Sequence, residues 1–330
     1  MNDLIEALAE FRSKRVLVAG DVMLDTYLFG TVERISPEAP VPLLNVRKKT
    51  YALGGAANVA YNLVSLGAKV KLFGVCNDND EAGRILLRMV DSEPNLDNCI
   101  EIDRTRKTTL KCRLIADEGH HHVARYDEEI RHEIDLDIQK LMSYRIIKLL
   151  SDVDCVVLAD YSKGFYTEYL AQSIIANAKD NGKMVFVDPK PANIRYFTGC
   201  SVVRPNLKEA VEITGIKCKN EDTDLERIVK KLGDIVRSPY SLVSWKGGVI
   251  VYDSPSAMCK KIMTKTRDVV DVTGAGDTMI AALSLGMVSG LDINGAAELA
   301  NHAAGIVVGK AGTATTTVDE VRIAIGKNGY

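Results

Sequence analysis

Asp271-Val272-Thr273-Gly274-Ala275-Gly276-Asp277-Thr278 runs directly into an apolar helical pattern over residues 279–288. Gly274, Ala275 and Gly276 are small residues where that helix begins, so backbone N–H groups can approach an anion closely. The start of a helix also carries donors without intrahelical partners and a partial positive charge, which suits phosphate. Asp277 places a carboxylate inside this cradle, where it would repel a phosphate unless it had other work. The simplest such work is taking a proton from a hydroxyl that attacks phosphorus. A plainer reading stands beside it: a glycine-rich turn whose Asp steadies the first helical turn.

The rest of the chain limits what such a site can belong to. With 330 residues and 46% apolar content it can bury a sizeable core. A formal charge of −2 gives no push toward nucleic acid or an anionic membrane. Seven cysteines, odd in number and never spaced Cys-x-x-Cys, indicate reduced thiols in a cytosolic setting rather than a disulfide framework or zinc site. Residues 2–14 read as an amphipathic helix with acidic residues, not a secretory leader. No apolar run has the length of a membrane span.

Short apolar strands at residues 16–19, 70–75, 155–159, 184–187 and 201–203 alternate with helical patterns. That alternation predicts an α/β domain with a mostly parallel sheet covered by helices on both faces. Residues 242–244, 249–252 and 257–261 read as terminal strands, and helices over 275–288, 293–308 and 317–325 close the chain. Two segments break the rhythm. Residues 28–52, with Pro37, Pro40 and Pro42, and residues 107–126, around the turn signal Asp117-Glu118-Gly119, read as a small separate sheet, a lid within one domain spanning 1–330. Ligands bind beyond the C-terminal ends of parallel strands. Asp21, Asp160, Asp188 and Asn206 should therefore share one rim, with the helix after Gly274 pointing at it.

Three motifs together resemble the ribokinase-like (PfkB) sugar kinases over essentially the whole chain: Leu53-Gly54-Gly55-Ala56-Ala57-Asn58-Val59-Ala60, Asn206-Leu207-Lys208-Glu209 and the stretch from Asp271 to Thr278. Three more, Gly20-Asp21-Val22-Met23-Leu24-Asp25, the segment from Arg34 to Pro42, and Ala159-Asp160-Tyr161-Ser162-Lys163-Gly164, resemble the branch of that family acting on D-glycero-β-D-manno-heptose 7-phosphate. The resemblance implies ATP-dependent phosphorylation of the anomeric hydroxyl to the 1,7-bisphosphate, for ADP-heptose and lipopolysaccharide core synthesis. It implies the kinase part alone, without the nucleotidyltransferase domain fused to it in some bacteria. A homodimer joined through the lid is also implied, as are ATP and Mg²⁺ and, in some relatives, a monovalent cation held by backbone carbonyls near the anion hole. Two rivals remain: a kinase of another sugar phosphate, such as a hexose phosphate, and a sugar- or nucleotide-binding protein without turnover. A dinucleotide oxidoreductase would need a Gly-x-Gly-x-x-Gly turn after the first strand, which is missing.

On this resemblance Asp277 is the base, and Gly274, Ala275 and Gly276 supply the anion hole. Asp21 and Asp25 accept hydrogen bonds from sugar hydroxyls, Gly54 and Gly55 let backbone approach the sugar, and Asn58 suits a polyol. Lys111 and Arg113 alternate on one strand and so share a face; with Arg125 and Lys163 they suit a sugar phosphate, although surface ion pairs are the commoner fate of such residues. Lys190 follows a strand and can approach ATP phosphates. Asn206 and Glu209 resemble the family's metal-and-phosphate pair, with Glu209 acting through water on Mg²⁺. Without the family they are a helix N-cap and its capping-box partner. Ser244 and Gly247 occupy the nucleotide-loop position in a shortened form with Ser for Thr, Trp245 either covers the nucleotide or packs in the core, and Asn301 resembles an adenine-proximal Asn. The tract His120-His121-His122 reads as a polar hairpin edge, because successive strand residues face opposite ways.

Overall fold

On β1 (Arg15–Gly20) the side chains of Val16 and Val18 enter one hydrophobic core while those of Leu17 and Ala19 enter a second. A strand that is apolar on both faces has to lie in the middle of a sheet with helices above and below it. The computed structural model describes residues 2–116, 121–221, 223–264, 271–310 and 312–327. The expected turn at Asp117-Glu118-Gly119 and His120 lie outside the described residues.

After α1 (Asn2–Glu10) and β1 come β2 (Val22–Ile35), β3 (Pro42–Gly55), α2 (Ala56–Ser65), β4 (Lys69–Phe73), β5 (Val75–Cys76), α3 (Glu81–Asp91), β6 (Leu96–Asn98), β7 (Glu101–Ile102), β8 (Thr109–Ala116) and β9 (His121–Glu128). The second half runs α4 (Leu136–Leu149), β10 (Cys155–Ala159), α5 (Glu168–Asp180), β11 (Met184–Asp188), β12 (Val202–Val203), α6 (Leu207–Thr214), α7 (Asp224–Val236), β13 (Tyr240–Trp245), β14 (Gly248–Asp253) and β15 (Met258–Met263). It closes with α8 (Ala275–Val288), α9 (Ile293–Val307) and α10 (Val318–Lys327).

Among the described residues the main sheet has the order β15-β14-β13-β12-β11-β10-β1-β4-β6. It is parallel from β13 to β6, and β14 and β15 add an antiparallel edge. One core joins this sheet to α1, α2, α3, α8, α9 and α10, the other to α4, α5, α6 and α7. The mostly parallel sheet with helices on both faces is thus the expected one. Along α8 the residues from Thr278 to Gly286 are all buried, because it lies between α2 and α9. Its N-terminus is thereby held in a fixed place.

The smaller sheet has the order β3-β2-β8-β9, with β2 parallel to β8 and the outer pairs antiparallel. It begins at Val22, earlier than the sequence pattern placed it, because buried residues run unbroken from β1 into β2 and disguise the change of sheet. Asp25 consequently rides on the smaller sheet and not beside the first strand. The junction between the sheets is tight. Gly55 has φ +59°, and a Cβ there would stand 2.3 Å from the Asp21 carbonyl oxygen, which also accepts from the Ala56 N–H at 2.9 Å. Only glycine combines that backbone with that approach. Gly55→Ala is expected to cost about 2 kcal/mol or more of stability, read as a lowered urea midpoint with unchanged slope.

Candidate active site

The rim where the parallel strands end gathers acidic side chains, and each is put to structural use. Asp21, just past β1, is buried. Its Oδ2 accepts from the N–H groups of Tyr161 (2.8 Å) and Lys163 (3.2 Å), and its Oδ1 from that of Phe165 (3.1 Å). Asp160, just past β10, accepts from the N–H groups of Ser162 (2.8 Å) and Lys190 (2.9 Å) and from Asn193 Nδ2 (3.1 Å). Burial, and then the neighbouring Asp21 charge, push Asp160 up to about 7. Burial also raises Asp21, against the pull of the three N–H groups and Arg106. These two carboxylates fix the loop of residues 161–165. Asp21 was expected to meet sugar hydroxyls; here three of its roughly four acceptor sites hold the loop.

Asp277 sits in the first turn of α8, half-buried. Its Oδ1 accepts from the Tyr161 hydroxyl and its Oδ2 from Asn58 Nδ2 at 2.5 Å. Burial drives its pKa up to about 6; Tyr161 and Asn58 pull it down, Asp188 adds to the rise and Arg204 opposes it. Asn58 is in turn held by Asn62, whose Nδ2 donates to the Asn58 carbonyl (2.9 Å) and Oδ1 (3.2 Å). The Thr278 hydroxyl donates to Asn62 Oδ1 at 2.6 Å. A buried polar chain through α2 and α8 therefore orients the carboxylate. Asn58 thus orients Asp277, a role beside the sugar contact expected of it.

The helix start itself is partly as expected. Gly274 has φ +82° and caps α8. Gly276 leaves the space for Arg204, since a Cβ on it would stand 3.0 Å from Arg204 Nη2. The N–H groups of Gly276 and Asp277 lie in the first turn, where an α-helix supplies no acceptor. Ala275 departs from the expectation: its N–H turns back to the Val272 carbonyl at 3.3 Å. Asp271 steadies this approach, accepting from Thr273 N at 2.9 Å and Gly312 N at 3.1 Å.

Three residues of the site went unassigned in the sequence. Arg204 is buried at the end of β12, with Nη2 on Asp188 Oδ2 at 2.6 Å and Nη1 on Ser244 Oγ at 3.3 Å. Its sequence signal was an arginine at the C-terminal end of an apolar strand. Tyr161 is the second, and Asp188, seen only as a rim residue, the third.

The other candidates divide. Lys190 binds Glu209 and lies 5.4 Å from the Tyr161 ring centroid. Burial works against its charge, but Asp188 and Glu209 outweigh that and raise its pKa. Glu209 also accepts from Asn206 N, and Asn206 Oδ1 from Glu209 N, both at 3.0 Å. The capping-box reading is therefore realised in full. Lys111, on β8, lies 5.5 Å from the same Tyr161 ring, and burial lowers its pKa. Arg113 is committed to Asp25 at 2.6 Å, both buried, and Gly54 makes room for that carboxylate, 2.7 Å from where its Cβ would stand. Arg125 pairs with Asp127 and Lys163 with Glu129. These three cations were expected at a phosphate, and their carboxylate partners are what the sequence concealed.

Ser244 reaches the crevice only through Arg204, and Lys246-Gly247 is the two-residue turn between β13 and β14. Trp245, partly buried against the second core, donates to Glu221 Oε2 at 3.2 Å. Asn301, on α9, donates to the Met263 carbonyl at 3.2 Å. Gly247, Trp245 and Asn301 stand apart from the Asp277 network, and Ser244 joins it through Arg204. Among the described residues no group of three or more His, Cys, Asp or Glu side chains could hold a metal, and no helix is long and apolar enough to cross a membrane.

Residues 13–320 match the description "pfkB family carbohydrate kinase". The chain belongs to that family. Among curated relatives, this kinase is 41% identical over 308 residues to the bifunctional protein HldE of Sulfurimonas denitrificans, covering 93% of this chain and 63% of that one. It is 39% identical over 325 residues to HldE of Paramagnetospirillum magneticum, covering 98% and 66%. The kinase thus spans slightly under two thirds of the length of these relatives. Phosphofructokinase-2 from Escherichia coli, solved in complex with potassium, has the same fold at a TM-score of 0.77 and 17% identity, over 95% of this chain and 98% of that one. Ribokinase from Arabidopsis thaliana, complexed with ribose and ATP, gives 0.71 at 16% identity, over 94% and 98%.

The pH dependence of such a base has a definite sign. A base at Asp277 would work only when ionised, so kcat/KM is expected to fall with a slope of one as pH drops through about 6. The check is a pH profile of the kinase reaction with ATP held saturating.

Proposed function

We propose that this chain transfers the γ-phosphoryl group of ATP to the anomeric hydroxyl of D-glycero-β-D-manno-heptose 7-phosphate. The observation that carries the reading is Asp277, a carboxylate with a raised pKa at the positively polarised start of α8, held by Tyr161 and Asn58. It takes the proton of the attacking hydroxyl. The new bond joins that oxygen to the γ-phosphorus, the bond to the β,γ-bridging oxygen breaks, and ADP leaves. The Gly276 and Asp277 N–H groups and the Arg204 guanidinium face the charge that develops on the phosphoryl oxygens. Both relatives named HldE support the choice of substrate, as do the motifs shared with the heptose phosphate branch.

Magnesium supplies charge neutralisation on the nucleotide phosphates when bound. The donor set fits an ion held mainly by phosphate and water: Asn206 and Glu209 would reach it through water, beside Lys190. A monovalent cation on backbone carbonyls near the start of α8 belongs to the same reading.

For the sugar's own phosphate the favoured cation is Lys111. Among the described residues it makes no ion pair, whereas Arg113, Arg125 and Lys163 each do. The smaller sheet would close on the sugar as a lid and exclude water. Its Ile35, Val41 and Val46, 59%, 51% and 47% exposed, suit pairing with a second copy of this chain. Cytoplasmic placement accords with seven free cysteines.

The decisive experiment is phosphorus NMR of the product formed from heptose 7-phosphate and ATP. A new phosphate on the anomeric carbon is expected; a product phosphorylated elsewhere, or faster turnover of a hexose phosphate, overturns the assignment. Asp277→Asn is expected to keep both ligands bound while kcat falls by about 10²–10⁴. Lys111→Met should raise KM for the sugar phosphate about tenfold or more with KM for ATP little changed, by steady-state kinetics. Val46→Glu should convert a dimer to monomer in sedimentation velocity.

A further inference from the structure

Tyr161 is where three parts of the crevice meet. Its hydroxyl donates to Asp277. Its ring has Lys111 at 5.5 Å and Lys190 at 5.4 Å from the centroid. One lysine comes from the smaller sheet and the other from the rim of the main sheet, so the ring touches a cation from each half of the crevice.

The loop that presents Tyr161 is unusually constrained. Asp21 binds three of its N–H groups, at residues 161, 163 and 165, and Asp160 binds a fourth, at Ser162. Arg106 Nη2 donates to the Lys163 carbonyl at 2.5 Å. Ser162 stands at φ +53°, a costly conformation for a residue with a side chain. Gly164, at φ +87°, lies so close to the His132 carbonyl that a Cβ would be 1.9 Å from its oxygen. Backbone strain of this kind persists only where surrounding bonds over-determine it. The result is a fixed backbone from which the Tyr161 hydroxyl meets the carboxylate.

We infer that Tyr161 is a positioning residue for the base, its hydroxyl keeping the Asp277 carboxylate aimed and ionised while its ring seats Lys111 and Lys190. This rests on the proposed role of Asp277. The remaining groups facing that carboxylate are Asn58 from α2, and Asp188 and Arg204 from the sheet rim, with Glu209 one step further through Lys190. Burial and the Asp277 and Asp188 charges hold the Tyr161 phenol well above its ordinary pKa, so it stays a donor. A donor to a carboxylate favours the ionised form; removing it raises the acid's pKa.

Tyr161→Phe keeps the ring and deletes only the hydroxyl. The expected result is a fall of about tenfold in kcat/KM for the sugar phosphate near neutral pH, with the acid limb of the pH profile displaced to higher pH. A tyrosine with a merely structural role would lower activity equally at every pH and leave the limb in place, and that result overturns the inference. Should the Phe variant fail to fold, 3-fluorotyrosine placed at position 161 carries the test: its more acidic phenol donates more strongly and should move the limb to lower pH, and an unmoved limb overturns the inference. Asp277→Asn separates the two levels. If it abolishes turnover while the position-161 variants keep the native limb, the Tyr161 role fails and the base stands. If Asp277→Asn turns over at the native rate, the base reading falls and takes this one with it.

Discussion

A carboxylate at the start of α8 has two opposing surroundings, and the rest of the molecule is arranged to hold them in balance. Burial and Asp188 favour the protonated Asp277; Tyr161, Asn58 and Arg204 favour the charged one. The outcome, about 6, leaves the group ionised at neutral pH yet basic enough to take a proton. Neither surrounding alone would do. A fully solvated Asp would be a weak base, and one buried without donors would stay protonated.

Keeping that balance requires rigid elements on every side. Packing between α2 and α9 fixes the axis of α8 and so the direction of its dipole. The Asn58–Asn62–Thr278 chain ties α2 to α8 with buried hydrogen bonds. On the sheet side, Asp21 and Asp160 spend their oxygens on backbone N–H groups of the strained loop, which aims Tyr161. Asp21 and Asp160 thus hold backbone, whereas Asp277 is held by side chains, as are Asp25, Asp188 and Glu209.

Charge in the crevice is layered in the same way. Arg204 stands behind Gly276, paired with Asp188, adding to the positive start of α8 without being exposed. Arg113 is neutralised by Asp25 within the smaller sheet; deleting either partner alone would leave a buried charge, a loss of about 3–5 kcal/mol. Lys111 from the smaller sheet and Lys190 from the rim of the main sheet share the Tyr161 ring.

Much of this was legible in the chain. Alternating apolar strands and helices gave the parallel sheet, because a strand buried on both faces must be apolar throughout. Gly274, Gly276 and Asp277 marked the helix start, because anion-binding backbone needs small residues and a proton acceptor stands out among them. What remained hidden was partnership across distance. Asn58 and Asp277 are far apart in sequence, as are Asp25 and Arg113 or Lys111 and Tyr161, and residue type alone does not say whether a charge is free or already paired. Local spacing determined the elements and the candidate base; the crossing of β2 into a second sheet and the packing of α8 decided which side chains face it, since only tertiary contacts set burial, and burial sets both charge and pKa.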